Sequence, residues 1–232
     1  MTRQTETSTH APTALPAPTA AAVIGWTGAL ALLAGTAAGA ITGVSGAGVQ
    51  IIPPPSVNPG DLESNTDVYV FNEVQDISAP FDIDINLVGT PGATAATNPG
   101  GPVGQIPFGQ FISSHFLHSD QVGPGFTTLT GTVSFDREIL GLQFLDAELD
   151  TTDSTLGAAG TSYPTFASRR GADWDSGFSE LFSISTDGKT LRYTVGTSNV
   201  IDQVRIITRG VPTPGSAALI GLAGLAAVRR RR

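Results

Sequence analysis

The 232-residue chain contains no cysteine. That absence removes a disulfide framework, thiolate metal ligation and a cysteine nucleophile. Charge is also sparse: Asp, Glu, Lys and Arg make up 14% of the residues, and aromatics 7%. The acidic residues are concentrated in the middle of the chain. Arg3, the four terminal arginines and Glu6 lie outside residues 41–210, so that stretch keeps 7 of 12 basic and 19 of 20 acidic residues, a net charge of −12. A body so acidic is repelled by phosphate backbones, which argues against nucleic-acid binding. No internal repeat is present, so a propeller is not indicated. No serine sits in Gly-x-Ser-x-Gly, so the nucleophile elbow of the α/β-hydrolases is missing.

What the chain has in plenty is turn formers, with 28 glycines and 16 prolines. Between them the apolar residues recur every second position rather than every 3.6. In "FDIDINLV", Phe81, Ile83, Ile85 and Leu87 fall on one face and Asp82, Asp84 and Asn86 on the other. This is the alternation of a half-buried antiparallel strand. Further strands are expected in "DVYVF", "QFISSHFLHS", "TTLTGTVSFD", "ILGLQFL", "ELFSIS", "TLRYTVG" and "VIDQVRIITR". Asp187-Gly188 predicts a tight type I′ hairpin. "PPPSVNPG" reads as a stiff entry segment, and residues 89–109 as a long mobile Gly/Pro loop. About eight strands and no strong helix predict an all-β body, an antiparallel β-sandwich of jelly-roll or immunoglobulin-like type. The expected organisation is a signal over residues 1–40, a Pro-rich entry over 41–65, the sandwich over 66–210 and a sorting segment over 211–232.

The two ends carry a different pattern. Residues 20–41 hold no charge and centre on Leu30, Leu32 and Leu33. Ala38-Gly39-Ala40 follows with the small-x-small pattern of a signal-peptidase site, so an export signal helix cut after about Ala40 is expected, with Ala38 and Ala40 as its recognition residues; an uncleaved anchor or a buried helix is the alternative, since the run approaches spanning length but is diluted by Ala and Gly. At the other end, Gly215 to Val228 are 14 apolar or small residues followed by Arg229, Arg230, Arg231 and Arg232. A helix of that length reaches about 21 Å, against roughly 30 Å of hydrocarbon. Four adjacent cations fit a stop-transfer end on the cytoplasmic side, and arginine stems lengthen the span by snorkelling. Pro212 and Pro214 separate this short transmembrane helix from the body.

Pro-x-Pro, a short apolar run and a terminal arginine cluster, in that order, resemble the PEP-CTERM sorting signal of exported proteins in exopolysaccharide-producing Gram-negative bacteria. The resemblance covers residues 211–232. It implies processing by an exosortase-type membrane enzyme and a passage from the inner membrane to the cell surface or extracellular matrix. Thr213 stands where the motif has glutamate, which implies a variant enzyme that accepts threonine or weaker recognition. "SHFLHSDQVG", "GTVSFDREILGL" and "STLGAAGTSYP" also resemble stretches of PEP-CTERM proteins; this likeness imports no activity.

Three groups in the body are candidate sites. His115 and His118 are three apart on a strand, so they face opposite ways and do not chelate one ion together; one satisfied and one exposed histidine are expected. In "LDAELDTTDSTLG", an extended chain puts Asp146, Glu148 and Asp150 on one face, with Asp153 nearby. Clustered oxygens of this kind suit calcium, although the EF-hand glycine and closing glutamate are missing. A solvated outer face is the plainer reading. In "SYPTFASRRGADWDSGF", Tyr163 and Trp174 with Asp173 and Asp175 have the composition of a glycan-binding loop, rings stacking on sugar C–H faces and carboxylates bonding hydroxyls. The plainer reading is that these aromatics cap one end of the sandwich. Glycosidase chemistry needs two carboxylates at a set separation in a cleft, for which there is no motif. The sequence therefore predicts a non-enzymatic exported protein, structural or adhesive in an exopolysaccharide matrix. An extracellular polysaccharide-modifying enzyme is the alternative. Ice or other surface binding is a third reading that needs a flat threonine-rich face, for which "TTLTGTV" alone supplies few threonines.

Overall fold

The computed structural model describes residues 40–165, 170–172, 180–197 and 200–212. Its secondary structure is mostly β, with one helix among the described residues. In chain order the elements are β1 (Ile41–Gly46), β2 (Gly48–Gln50), β3 (Val68–Asn72), β4 (Ile77–Ser78), β5 (Ile83–Ile85), β6 (Leu87–Val88) and β7 (Thr94–Ala95). There follow β8 (Gly104–Ile106), β9 (Phe111–Ser119), β10 (Thr127–Phe135), β11 (Ile139–Gln143), α1 (Asp146–Leu156), β12 (Leu181–Ile184), β13 (Thr190–Thr197) and β14 (Asp202–Arg209). No described helix is long and apolar enough to cross a membrane.

Five strands form one antiparallel sheet in the order β1-β10-β13-β12-β7. A second sheet runs β2-β3-β9-β14-β11-β6, with β4 also on β9; only the short β2–β3 pair is parallel. β5 and β8 make a separate two-stranded ribbon. One apolar core draws on both larger sheets: Val133, Phe135, Leu191, Tyr193 and Val195 from the first, and Val68, Val70, Leu117, Val204 and Ile206 from the second. Phe144 stacks on Phe182 inside it, ring centroids 5.1 Å apart. Burial of these aliphatic and aromatic side chains, each contributing about 1.5–3 kcal/mol, is the main force holding the sheets.

The expected strands at residues 111–119, 127–135 and 202–209 form, and the middle of the chain departs from expectation in four places. The alternating stretch at residues 81–88 is not one strand. β5 pairs with β8, whereas β6 pairs with β11, and the chain changes sheet at Asn86. Asn86 is buried there, because its Oδ1 accepts from the N–H groups of Phe144 and Leu145 and its own N–H donates to Leu142. Phe81, at the open end of the ribbon, is exposed rather than part of the buried row. Residues 89–109 contain β7 and β8 instead of a structureless loop. The β12–β13 connection is longer than a two-residue turn: Ser185 N–H donates to Thr190 and Gly188 N–H to Ser185. Only Gly188 has positive φ, at 71°, so Asp187 does not adopt the type I′ conformation. Its carboxylate instead accepts from Lys189 N–H at 2.8 Å. Finally, "DAELDTTDSTL" is helical. The entry region also contributes strands to both sheets, since β1 pairs with β10 and β2 with β3.

Candidate functional site

β14 and β9 are buried on both faces. One face of their sheet lies on the shared core; the other is covered by α1 and the Thr161–Thr165 stretch. This second face carries charge. Arg205 on β14, fully buried, makes two bonds to Glu73, Nε to Oε2 at 2.7 Å and Nη2 to Oε1 at 2.8 Å. It also donates to Thr152 Oγ1 at 2.6 Å and to Asp153 Oδ1 at 2.9 Å. Glu73 accepts two further bonds, from Ser114 Oγ at 2.5 Å and Tyr163 Oη at 2.7 Å. Such a pair is tolerable in a dry interior because nearly every donor and acceptor is matched. Burial acts against the Arg205 charge, but Glu73 and Asp153 outweigh it and raise its pKa.

A second buried guanidinium sits alongside. Arg170 donates to Asp150 Oδ1 at 3.0 Å, to both Asp153 oxygens, to Gln203 Oε1 at 2.7 Å and to the Pro164 carbonyl at 3.1 Å. Both guanidinium carbons lie within 6 Å of the Phe116 and Tyr163 ring centroids, at 5.3–5.9 Å, close enough for cation–π attraction. Phe116 and Tyr163 meet edge to face at 5.1 Å. Gln203 passes the chain of bonds on, its Nε2 donating to Val57 O and to His118 Nδ1.

Outside this layer is an open cleft of about 400 Å³ lined by Asp150, Asp153, Ser154, Thr161, Tyr163, Pro164 and Thr165. It joins residues from two stretches that the sequence presented as separate candidates. Carboxylate oxygens and hydroxyls offer bonds to a polyhydroxylated ligand, and the Tyr163 ring and Pro164 give apolar wall. Burial pushes the Asp150 carboxyl up, while Arg170 pulls it back. Burial and the adjacent Glu73 charge push the Tyr163 phenol well above its ordinary value, so it stays a donor.

The remaining candidate residues fall elsewhere. The acidic run does not line a strand: α1 turns it through a helix. Asp146 accepts from Gly171 N–H at 2.5 Å, Glu148 faces inward and is buried, and Asp150 and Asp153 take Arg170. No group of three His, Asp or Glu side chains poised for a metal occurs among the described residues. Tyr163 covers the outside of the larger sheet rather than one end of the two sheets. Asp173, Trp174 and Asp175 lie outside the described residues, as do Ala38, Thr213, Pro214, Arg229, Arg230, Arg231 and Arg232. Ala40 and Pro212 are described, at the two ends of the body. Neither histidine is exposed, contrary to expectation. His115 bonds Asn72 Oδ1 and Thr208 Oγ1 and lies tilted against Phe135, ring centroids 4.6 Å apart. Burial lowers its pKa to about 3 and that of His118 to about 4.

One further surface emerges only from strand register. On the outer face of the five-stranded sheet, Ser45, Thr132, Arg192, Ser183 and Thr94 form a row across all five strands. Beside it Thr130 pairs with Thr194 and Ser134 with Thr190. Hydroxyls bond across the strands, Ser45 to Thr132 at 2.7 Å, Ser134 to Thr190 at 3.0 Å and Thr130 to Thr194 at 3.3 Å. No protein-family model, no curated protein and no solved structure matches the chain.

Proposed function

We propose that the chain is an exported, non-enzymatic protein of the bacterial surface or exopolysaccharide matrix, whose body is a two-sheet β-sandwich that binds polysaccharide through the cleft beside α1. The observation that carries this reading is the convergence of Asp150, Asp153, Ser154, Thr161 and Tyr163 on one open cleft of about 400 Å³, backed by two buried arginines that hold the carboxylates in place. Rigid acceptors around an aromatic wall favour sugar hydroxyls over apolar ligands. The sandwich reading is supported by the single core shared between the two larger sheets. Sorting rests on the ends: the small-x-small site stops at Ala40 just before β1 begins at Ile41, so cleavage there by signal peptidase leaves both sheets whole. Pro212-Thr213-Pro214, the apolar run and the four arginines would then engage the membrane as a short helix and present the chain to an exosortase-type enzyme. Calcium enters as a candidate cofactor of retention, with no set of three acidic ligands for it among the described residues.

Retention of the full chain on the producing organism's exopolysaccharide, with calcium and then EDTA, tests the reading. Retention without shortening of the polymer supports it, and calcium dependence adds the metal. Shortening of the polymer moves the assignment to the enzyme alternative. The hydroxyl rows on the five-stranded sheet favour a second reading, binding to ice or another ordered surface. An ice-recrystallisation assay that showed no inhibition by the full chain would dismiss it.

A further inference from the structure

The described body begins at Ala40 and ends at Pro212, and both positions lie at one end of the sheets. Ala40 O accepts from Asp136 N–H just beyond β10. β11 follows at once, and its Ile139 pairs with Thr208 near the end of β14. Past β14, Gly210 N–H donates to Phe111 O at 2.8 Å and Val211 N–H to Asp76 Oδ1 at 2.9 Å. The exit is thus locked between the start of β9 and the residue before β4.

Two exposed phenylalanines lie near the same place, whereas Phe126, 51% exposed, precedes β10 at the other end. Phe108 is 70% exposed and Phe81 38%. They belong to one corner, because Phe108 N–H donates to Asp82 Oδ1 at 2.7 Å, and Gly109 and Gln110 pair with Ala79. Phe108 is three residues from Phe111, so it lies within about 11 Å of the residue that holds Gly210 at the exit. Two exposed phenylalanines held at a chain exit call for a partner, since apolar surface in water is unfavourable.

The leash identifies the partner. Only Thr213 and Pro214 separate Pro212 from the apolar run that starts at Gly215. Three peptide steps span about 11 Å at most. The headgroup layer on one side of a bilayer is about 5–8 Å deep. A tail seated in the membrane therefore draws this end of the body onto the headgroups. We propose that Phe81 and Phe108 form a lipid-contacting patch that seats the body on the membrane holding its tail, an inference that rests on the membrane reading of residues 215–228. The patch fixes which end of the body faces the bilayer.

The chain has no cysteine, so one introduced cysteine gives one label. Nitroxide labels at Phe108→Cys, Val122→Cys and Leu222→Cys, each in the full chain reconstituted with phosphatidylcholine vesicles, report collision with oxygen and with a water-soluble nickel chelate. Val122 is the water reference, past the far end of β9. The oxygen-to-nickel ratio at position 108 should exceed that at 122 several-fold, and Phe81→Ser should lower it. A ratio at 108 equal to that at 122, with position 222 lipid-shielded, overturns the patch and leaves the tail reading standing. A position 222 as open to nickel as 122 overturns the tail reading and the patch with it. Shielding of 108 from both reagents, with dipolar broadening between labels, would assign the patch to a second copy of the chain and also overturn lipid contact.

Discussion

Arg205 shows how much one buried charge asks of its surroundings. Its guanidinium is matched by Glu73, Asp153 and Thr152, and Glu73 in turn by Ser114 and Tyr163. Arg205→Met would leave the Glu73 carboxylate buried without its cation. We predict a loss of about 3–5 kcal/mol, the range for breaking a buried pair by removing one partner. Urea unfolding measures it, and a loss below about 1 kcal/mol would show that water enters and hydrates Glu73. The histidines set a second expectation. Both have pKa values lowered by burial, to about 3 and about 4 against 6.5 unfolded. The unfolded chain therefore binds more protons in the window from about 6.5 down to 4, and stability falls as pH falls through it. By pH 4 each histidine contributes about 3 kcal/mol of that loss. A urea midpoint unchanged between pH 7 and pH 4 would contradict neutral buried rings. Arg205 in "VIDQVRIITR" reads as an outward residue, because alternation marks one covered face and gives no sign of the layer on the other. Its partner lies 132 positions away, which no local pattern reveals.

At the scale of elements, β10 was legible because Leu129, Val133 and Phe135 keep one parity, and β9 and β14 were legible as long stretches with no helical period. α1 was not. Its buried positions are Glu148, Leu149, Thr152 and Leu156, so the helical spacing is present but half of it is written in polar residues. The reason is what lies beneath: Thr152 Oγ1 meets Gln143 and Arg205, so a polar sheet face selects a polar helix face. The break at Asn86 was hidden for a related reason, since its role is set by the backbone of residues 144 and 145. Strand register also makes a firm demand at Gly131, which faces Tyr193 across β10 and β13. A Cβ there would press into the Tyr193 hydroxyl and lie 2.6 Å from the Ser45 carbonyl. Tyr193 is buried in the core and Ser45 O is backbone, so neither yields cheaply. Gly131→Ala is predicted to cost about 1–3 kcal/mol through overpacking. A thermal midpoint equal to that of the parent would mean that β1 shifts freely against β10.

For the whole molecule, the readings of the two ends stand on composition alone, since residues 1–39 and 213–232 lie outside the described residues, whereas the body can be compared with its fold. The ends announce themselves through composition: an uncharged run, small-x-small, Pro-x-Pro and four arginines. The body's cleft was only half visible, since the acidic run and the Tyr163 stretch were separate candidates until α1 brought Asp150 and Asp153 beside Tyr163. The cleft also explains a division of labour among the acids. Asp153 is tied to both arginines, whereas Asp150 bonds Arg170 through one oxygen and keeps the other for the cleft. Asp150→Ala should therefore weaken polysaccharide retention about tenfold, the effect of losing one good hydrogen bond to a charged group, and should also cost about 1.5–3 kcal/mol of stability, because buried Arg170 loses one of its carboxylate partners.

The measurement that bears most directly on polysaccharide binding at the cleft is retention on the producing organism's exopolysaccharide of the full chain and its Asp150→Ala variant side by side, with polymer length followed in the same samples. The proposal predicts that the parent is retained, the variant is largely lost and the polymer keeps its length. Equal retention of the two proteins, or none of either, would contradict binding through this cleft.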